Sequence, residues 1–508
     1  MQFPKVAQLK TPAGLSSHWQ KLGFSWPVDD RIWTAAEGSP MAWPLQVGKR
    51  TVGNRWCIHP MEGWDGTSDG HPTDWTRRRW RRFGESGAKL IWGGEAAAVQ
   101  PDGRANPQQL MATRVQLESW RQLLGLLKEG HREAMAKLGQ SGEPDDLLVG
   151  LQLTHSGRYA RPHGKALEPR IAFHHLLLDQ RVGIDPGDDS MVWTDLQLEA
   201  LSDRFVDSAK VAWEAGFDFV DVKACHGYLM HELLSARNRA GRFGGDLEGR
   251  SRLLRRIIER IREEIPQLMV GVRLSLYDAI PFHRQGGEGA PMTWESGMPY
   301  ELGFGVDRQD PTKPDLTEPI ALLRLLKESG VQMVNLTSGS PYYTPHLQRP
   351  AAFPPSDGYP PPEDPLAGVA RHLEMAKRCK EAIPQMVMVG SGYTYLQDFL
   401  PHVAQGSVRS GAIDCVGLGR MVLSYPHLPV DTLSGTAVQR KLVCRTFSDC
   451  TTAPRKGLIS GCYPLDRHYK DSPEAAQLTK LLADNPTPAS SSNPEPSPRA
   501  AERPSTEN

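Results

Sequence analysis

Eight short apolar runs recur between residues 54 and 420, and each stops at glycine, serine, histidine or a charge before a longer connection begins. They are NRWCIHP (54–60), AKLIWGGE (88–95), LLVGLQLTHSG (147–157), FDFVDVKACHG (217–227), LMVGVRLS (268–275), VQMVNLTSG (331–339), QMVMVGSG (385–392) and AIDCVGLGR (412–420). Val, Leu and Ile follow one another in them with little alternation. That is the pattern of strands covered on both faces, and so of a parallel sheet beneath helices. The connections supply the helices: Leu253, Leu254, Ile257, Ile258, Ile261 and Ile265 recur at helical spacing among Arg and Glu. Eight strand–helix units in succession predict an α/β fold, a (β/α)8 TIM barrel, with an open doubly wound sheet as the alternative.

In such a barrel, chemistry gathers where the strands end at the C-terminal face. The endings expected to converge there are Pro60–Met61–Glu62, Gly93–Gly94–Glu95, Gln152–His155–Arg158, Lys223–His226–Tyr228, Arg273, Ser338–Gly339, Gly390–Gly392 and Gly419–Arg420. The fourth is the densest, with an amine, an imidazole and a phenol within six residues of a buried strand. Cys225 falls on the opposite side from His226 by alternation and reads as a packing thiol; Cys57, Cys379 and Cys415 also read as structural. The last three endings combine glycine, serine and a terminal arginine. That composition suits a phosphate, although each piece alone is also an ordinary tight turn. The Pro- and Gly-rich connections 281–316 and 341–366 are expected to cover the mouth.

Charge narrows the partners. Lys plus Arg and Asp plus Glu both number 59, so no net field draws the chain to nucleic acid or an anionic membrane. No stretch approaches the roughly 18 apolar residues of a membrane span. A small-molecule substrate is the expected partner. Seven cysteines without an export signal are expected to stay reduced, in the cytoplasm.

NRWCIHPMEGWDG, GAKLIWGGEAAAV, GLQLTHSGR, VGVRLS, VGLGR and the long block FDFVDVKACHGYLMHELLSARNRAGRFGGDLEGRSRLL are the pieces that carry a resemblance. The chain resembles the Old Yellow Enzyme family, the FMN-dependent NADH:flavin oxidoreductases and ene-reductases. The HGYL motif followed by FGG-x-LE-x-R is the most specific of the pieces. The resemblance implies FMN as cofactor, NADH or NADPH as hydride donor, and an activated C=C as acceptor; a homo-oligomer is compatible with it. It implies that Pro60, Met61 and Ala96 lie along the isoalloxazine, that Gln152 bonds the pyrimidine edge, and that Arg273 sets positive charge near N1. Ser338, Gly339, Gly390, Gly392, Gly419 and Arg420 would hold the ribityl phosphate. His226 matches a carbonyl-gripping donor and Tyr228 the proton donor.

Two positions depart from the family pattern. Lys223 stands where His or Tyr is usual, as a stronger electrophile toward an enolate or a clamp for a carboxylate. Glu62 follows the Pro-Met pair where Thr or Cys is usual and where the side chain tunes the flavin, and a compensating Glu62–Lys223 pair is expected. Two other enzyme readings stay open: a flavin dehydrogenase or demethylase running in the oxidative direction, and a Schiff-base lyase or aldolase using Lys223. A third is a non-catalytic barrel used for binding.

Beyond the barrel, Cys444, Cys450 and Cys462 lie where the dienoyl-CoA reductase and trimethylamine dehydrogenase branch binds a [4Fe–4S] cluster. Phe447 occupies the second-ligand position, so the site reads as degenerate and no metal is assigned. A zinc site completed by His468 is the alternative. The expected organisation is an N-terminal segment (1–40) packed on the barrel, a barrel (41–435), an extension with the cysteines (436–481) and a disordered tail (482–508). The additional nucleotide-binding domains of that branch are not expected.

Overall fold

The computed structural model describes residues 3–140 and 145–484, so all but the first three residues of the expected tail lie outside the described residues. Eight parallel strands form the barrel: β1 (Trp56–Ile58), β2 (Leu90–Ile91), β3 (Leu148–Thr154), β4 (Phe219–Ala224), β5 (Met269–Ser275), β6 (Met333–Thr337), β7 (Val387–Gly390) and β8 (Cys415–Leu418). Each pairs with its sequence neighbour, and β8 pairs with β1 while β2 pairs with β3, so the sheet closes on itself. The open-sheet alternative is excluded by that closure. All eight strands arise from the eight apolar runs.

The helices pack outside. The stripe at Leu253 to Ile261 is buried on the wall helix Leu247–Glu264, whose start is capped by the Asp246 carboxylate accepting from Gly249 N at 2.8 Å. Within the barrel, alternation sends Asp221 and Lys223 of β4 to one face, and the register sets Gln152 beside Asp221 and Lys223 beside Arg273. Three neighbouring strands therefore contribute polar side chains to one layer. Among the described residues, no helix is long and apolar enough to cross a membrane.

The 281–316 connection carries a hairpin, Phe282–Gln285 with Glu288–Pro291. The extension past β8 contains helices Asp449–Arg455 and Pro473–Asp484, the latter including residues 482–484 of the expected tail. It folds back onto the barrel mouth: Arg78 donates to both oxygens of Asp466 at 2.9 Å, and Ser460 N donates to Gly63 O at 2.9 Å.

Candidate active site

A cavity of about 1240 Å³, counting its open mouth, lies at the C-terminal end of the barrel. Pro60, Met61, Glu62, Gln152, Lys223, His226, Tyr228, Arg273, Gly392, Gly419 and Arg420 all line it. Seven of the eight strand endings thus reach the cavity or the wall directly behind it. Ala96 lies in that wall, paired in register with Gln152. Ser338, Gly339 and Gly390 do not line the cavity, although Thr337 and Ser391 beside them do. The Gly339 N–H is already donated to Tyr277 O at 2.7 Å, while the buried Ser338 hydroxyl has no partner among the described residues.

The remaining polar endings turn away. Glu95 forms a buried ion pair with Arg79, which also pairs with Asp65. Arg158 lies past the end of β3 on the turn Gly157–Tyr159, fully buried between Asp179 and Glu232, the latter at 2.6 Å. His155 packs edge-on against Trp193 with ring centroids 5.2 Å apart. Their charge and polarity serve barrel-to-loop attachment, because a buried guanidinium stays where its carboxylates are.

At the β4 end every polar group is partnered. Lys223 Nζ lies 2.7 Å from Glu62 Oε1 and 3.9 Å from the centroid of the Tyr228 ring. The Tyr228 hydroxyl lies 3.1 Å from Glu62 Oε2 and 3.1 Å from the Tyr342 hydroxyl. With Tyr228 donating to the carboxylate, Tyr342 donates to Tyr228. Burial, then the Glu62 charge, pushes the Tyr228 phenol well above its ordinary range, so it stays protonated. Burial, then the charges of Arg273 and Lys223, drives His226 well below the ordinary imidazole range, so its ring is neutral. His226 has a backbone φ of 66°, left-handed for a non-glycine residue, held by Ser340 Oγ donating to its carbonyl at 2.9 Å.

The floor is organised by residues that sequence reasoning passed over. Asp221 accepts from Gln152 Nε2 at 2.5 Å and from Arg273 N at 2.6 Å. With its amide nitrogen committed, Gln152 turns its carbonyl oxygen to the cavity as an acceptor. Burial raises Asp221 to about 6. His59, also driven low by burial, bridges Asn335 Nδ2 at 2.9 Å and Ser391 Oγ at 3.1 Å. Gly417 leaves room for it, since a Cβ there would come within 2.0 Å of the ring. The alternation of FVDVKA signals Asp221; His59 is signalled only by its place at a strand end.

From β5 round to β8 the charges are not answered. Among the described residues, Arg273 Nε and Arg420 Nη1 are buried with no hydrogen-bond partner, and Arg349 Nη2, from the connection after β6, is in the same condition. Gly392, whose φ of 91° favours glycine, and Gly419 line this end. Buried N–H groups of cations without partners fit an anionic ligand. A planar heterocycle offering an N–H to Gln152 and an electron-rich edge to Arg273, with a phosphate at Arg420, satisfies these groups together. The residues present therefore fit FMN.

Cys444, Cys450 and Cys462 surround a small apolar cleft beside Arg420, with Phe447 on its rim. Burial raises Cys462 and Cys444 above the ordinary thiol range. The His468 ring packs edge-on against Trp75, with centroids 4.6 Å apart, and among the described residues no group of three His, Cys, Asp or Glu is placed to hold a metal.

Residues 41–290 match the model of the NADH:flavin oxidoreductase / NADH oxidase family. Over 443 residues the chain is 26% identical to a NADH:flavin oxidoreductase of Gibberella zeae, covering 80% of this chain and 92% of that one. It is 27% identical over 308 residues to a NADPH dehydrogenase of Bacillus subtilis, covering 58% of this chain and 72% of the relative. Among solved structures, the Old Yellow Enzyme from Pichia sp. superposes with TM-score 0.53 at 20% identity, over 78% of this chain and 88% of that one. A 2-naphthoyl-CoA reductase superposes with TM-score 0.61 at 17% identity, over 85% of this chain, which spans only 58% of that larger protein. These structural likenesses speak for the barrel. With residues 41–290 matching that family and a cavity whose unanswered groups fit FMN, the chain is an NAD(P)H-dependent FMN oxidoreductase.

Proposed function

We propose that the cavity reduces an uncharged acceptor whose C=C bond is activated by a neighbouring oxygen function. Gln152 and Arg273 would hold the pyrimidine side of FMN, and Gly392, Gly419 and Arg420 its phosphate end. Bound FMN supplies the two-electron carrier that takes hydride from NADH or NADPH and passes it to the acceptor.

The observation that carries the reading is one cavity holding both the unpartnered guanidinium N–H groups of Arg273 and Arg420 and the protonated hydroxyl of Tyr228. His226, neutral, and Lys223, with N–H groups beyond the one given to Glu62, are the donors for the acceptor's oxygen. Their bonds strengthen as negative charge builds there. Tyr228 gives its proton to the adjacent carbon. The Tyr342 hydroxyl remains in hydrogen-bond reach of the resulting phenolate. Pro341, Tyr342 and the extension residues Thr451, Pro454 and Arg455 cover the mouth and limit water.

The choice of an uncharged acceptor follows from the Lys223–Glu62 pair. Lys223 alone would clamp a carboxylate, but Glu62 at 2.7 Å cancels its charge and would repel a second anion. The same pairing opposes the neutral amine that a Schiff-base mechanism needs.

The test is the visible spectrum of the purified protein, followed by anaerobic NADH or NADPH and then an acceptor. A flavin spectrum that bleaches with nicotinamide and recovers with an uncharged enone, but not with the matching α,β-unsaturated carboxylate, is the expected outcome. Tyr228→Phe should bleach normally and recover about a hundredfold more slowly. Protein that stays colourless after incubation with FMN sinks the reading.

A further inference from the structure

Arg349 belongs to none of the strand endings. It follows the short helix Pro345–Gln348 after β6 and lines the cavity together with Arg420. Its Nη1 donates to Thr451 Oγ1 of the C-terminal extension, and its Nη2 is buried without a partner. Arg420 is held in the matching way: Nη2 donates to Pro350 O at 3.0 Å, which leaves Nη1 buried and free. A third guanidinium, Arg455, is already satisfied by Asp357 and by Pro341 O at 2.8 Å.

Two buried cations thus face one space with one N–H side each to spare. Burial, then the charges of Arg455 and Arg420, pushes Arg349 down to about 9, a sign of like charges crowded together. A singly charged carboxylate would leave one of the two unbalanced. A phosphate monoester dianion balances both and accepts a charge-assisted bond from each. We propose that Arg349 is a second phosphate arginine, and that the C-terminal extension, through Thr451, is part of the cofactor site. The inference rests on the flavin reading above.

The test uses the full-length apoprotein and compares binding of FMN and riboflavin, which differ by the phosphate, through quenching of flavin fluorescence. Wild-type protein should prefer FMN strongly. Arg349→Met should reduce the FMN-over-riboflavin preference by about tenfold or more, with riboflavin affinity unchanged. Thr451→Val, which keeps the charge but frees the side chain, should reduce it less and in the same direction. If Arg349→Met unfolds, Arg349→Lys supplies the comparison, retaining the charge without the fork and giving an intermediate preference. A preference that collapses in Arg420→Met but is unchanged in the Arg349 variants overturns the inference while leaving the flavin reading intact. Wild-type protein that binds neither flavin overturns both.

Discussion

At the β4 end of the cavity, the Lys223 ammonium, the Glu62 carboxylate and the Tyr228 and Tyr342 hydroxyls answer one another within 2.7 to 3.1 Å. At the β7–β8 end, Arg349 and Arg420 each bury an N–H that no group among the described residues accepts. Both ends bring charge out of water, so the difference is one of assignment. The first is complete within the chain and works by presenting donors of cancelled charge. The second is incomplete and works by recruiting an anion. A cavity that must keep a charged cofactor while turning over uncharged acceptors needs both, and here they sit at opposite ends of one barrel mouth.

The largest effect expected from breaking this contrast lies in apoprotein stability. Glu62→Ala strands the Lys223 ammonium, which is 5% exposed, and should destabilise the apoprotein by about 2–3 kcal/mol. Arg420→Met removes a buried cation that has no carboxylate partner and should cost the apoprotein less than Glu62→Ala or stabilise it, while weakening FMN binding. Urea denaturation of both variants checks the pair; equal losses would erase the distinction between the two ends.

A second, pH-dependent effect comes from Asp221 on the floor between them. Its folded-state value, about 6, lies above the ordinary aspartate value, so between about pH 4 and 6 the folded state binds more protons than the unfolded state. Its contribution to stability is therefore greatest at low pH and is lost as pH rises through this window, by up to about 3 kcal/mol. Asp221→Asn should flatten that part of the apoprotein's stability profile, measured by urea titrations at pH 4.5 and 6.5. A profile identical to wild type would mean that Asp221 is ionised at both.

The smallest effect sharpens the boundary of the unanswered end. Asp357, the partner of Arg455, is 58% exposed, and Asp357→Asn should change stability by less than about 1 kcal/mol and FMN affinity only slightly. A large loss of FMN affinity would show that Arg455 also belongs to the phosphate cluster.

The barrel was legible because each strand carries its own signature: an apolar run buried on both faces and a polar ending. So were Lys223, His226, Tyr228, Gln152, Arg273 and Arg420, since a strand end in a closed parallel barrel has one place to be. Glu95, His155 and Arg158 satisfy the same sequence criterion, yet they turn into buried contacts with residues up to 74 positions away. Polarity at a strand end is therefore insufficient to define a site residue; the deciding factor is whether a partner waits elsewhere.

The sequence by itself determined strand count, sheet direction and the side of the barrel where chemistry collects, because periodicity and strand endings are local. Apart from the Lys223–Glu62 pair, expected from two departures from a family pattern, only the tertiary structure decided which charges are spent on one another and which are left for a ligand. Lys223 and Glu62 lie 161 positions apart, and Arg349 and Thr451 lie 102 apart. Charge compensation depends on distance in space, and neither those separations nor the return of the C-terminal extension to the mouth is written in any local pattern.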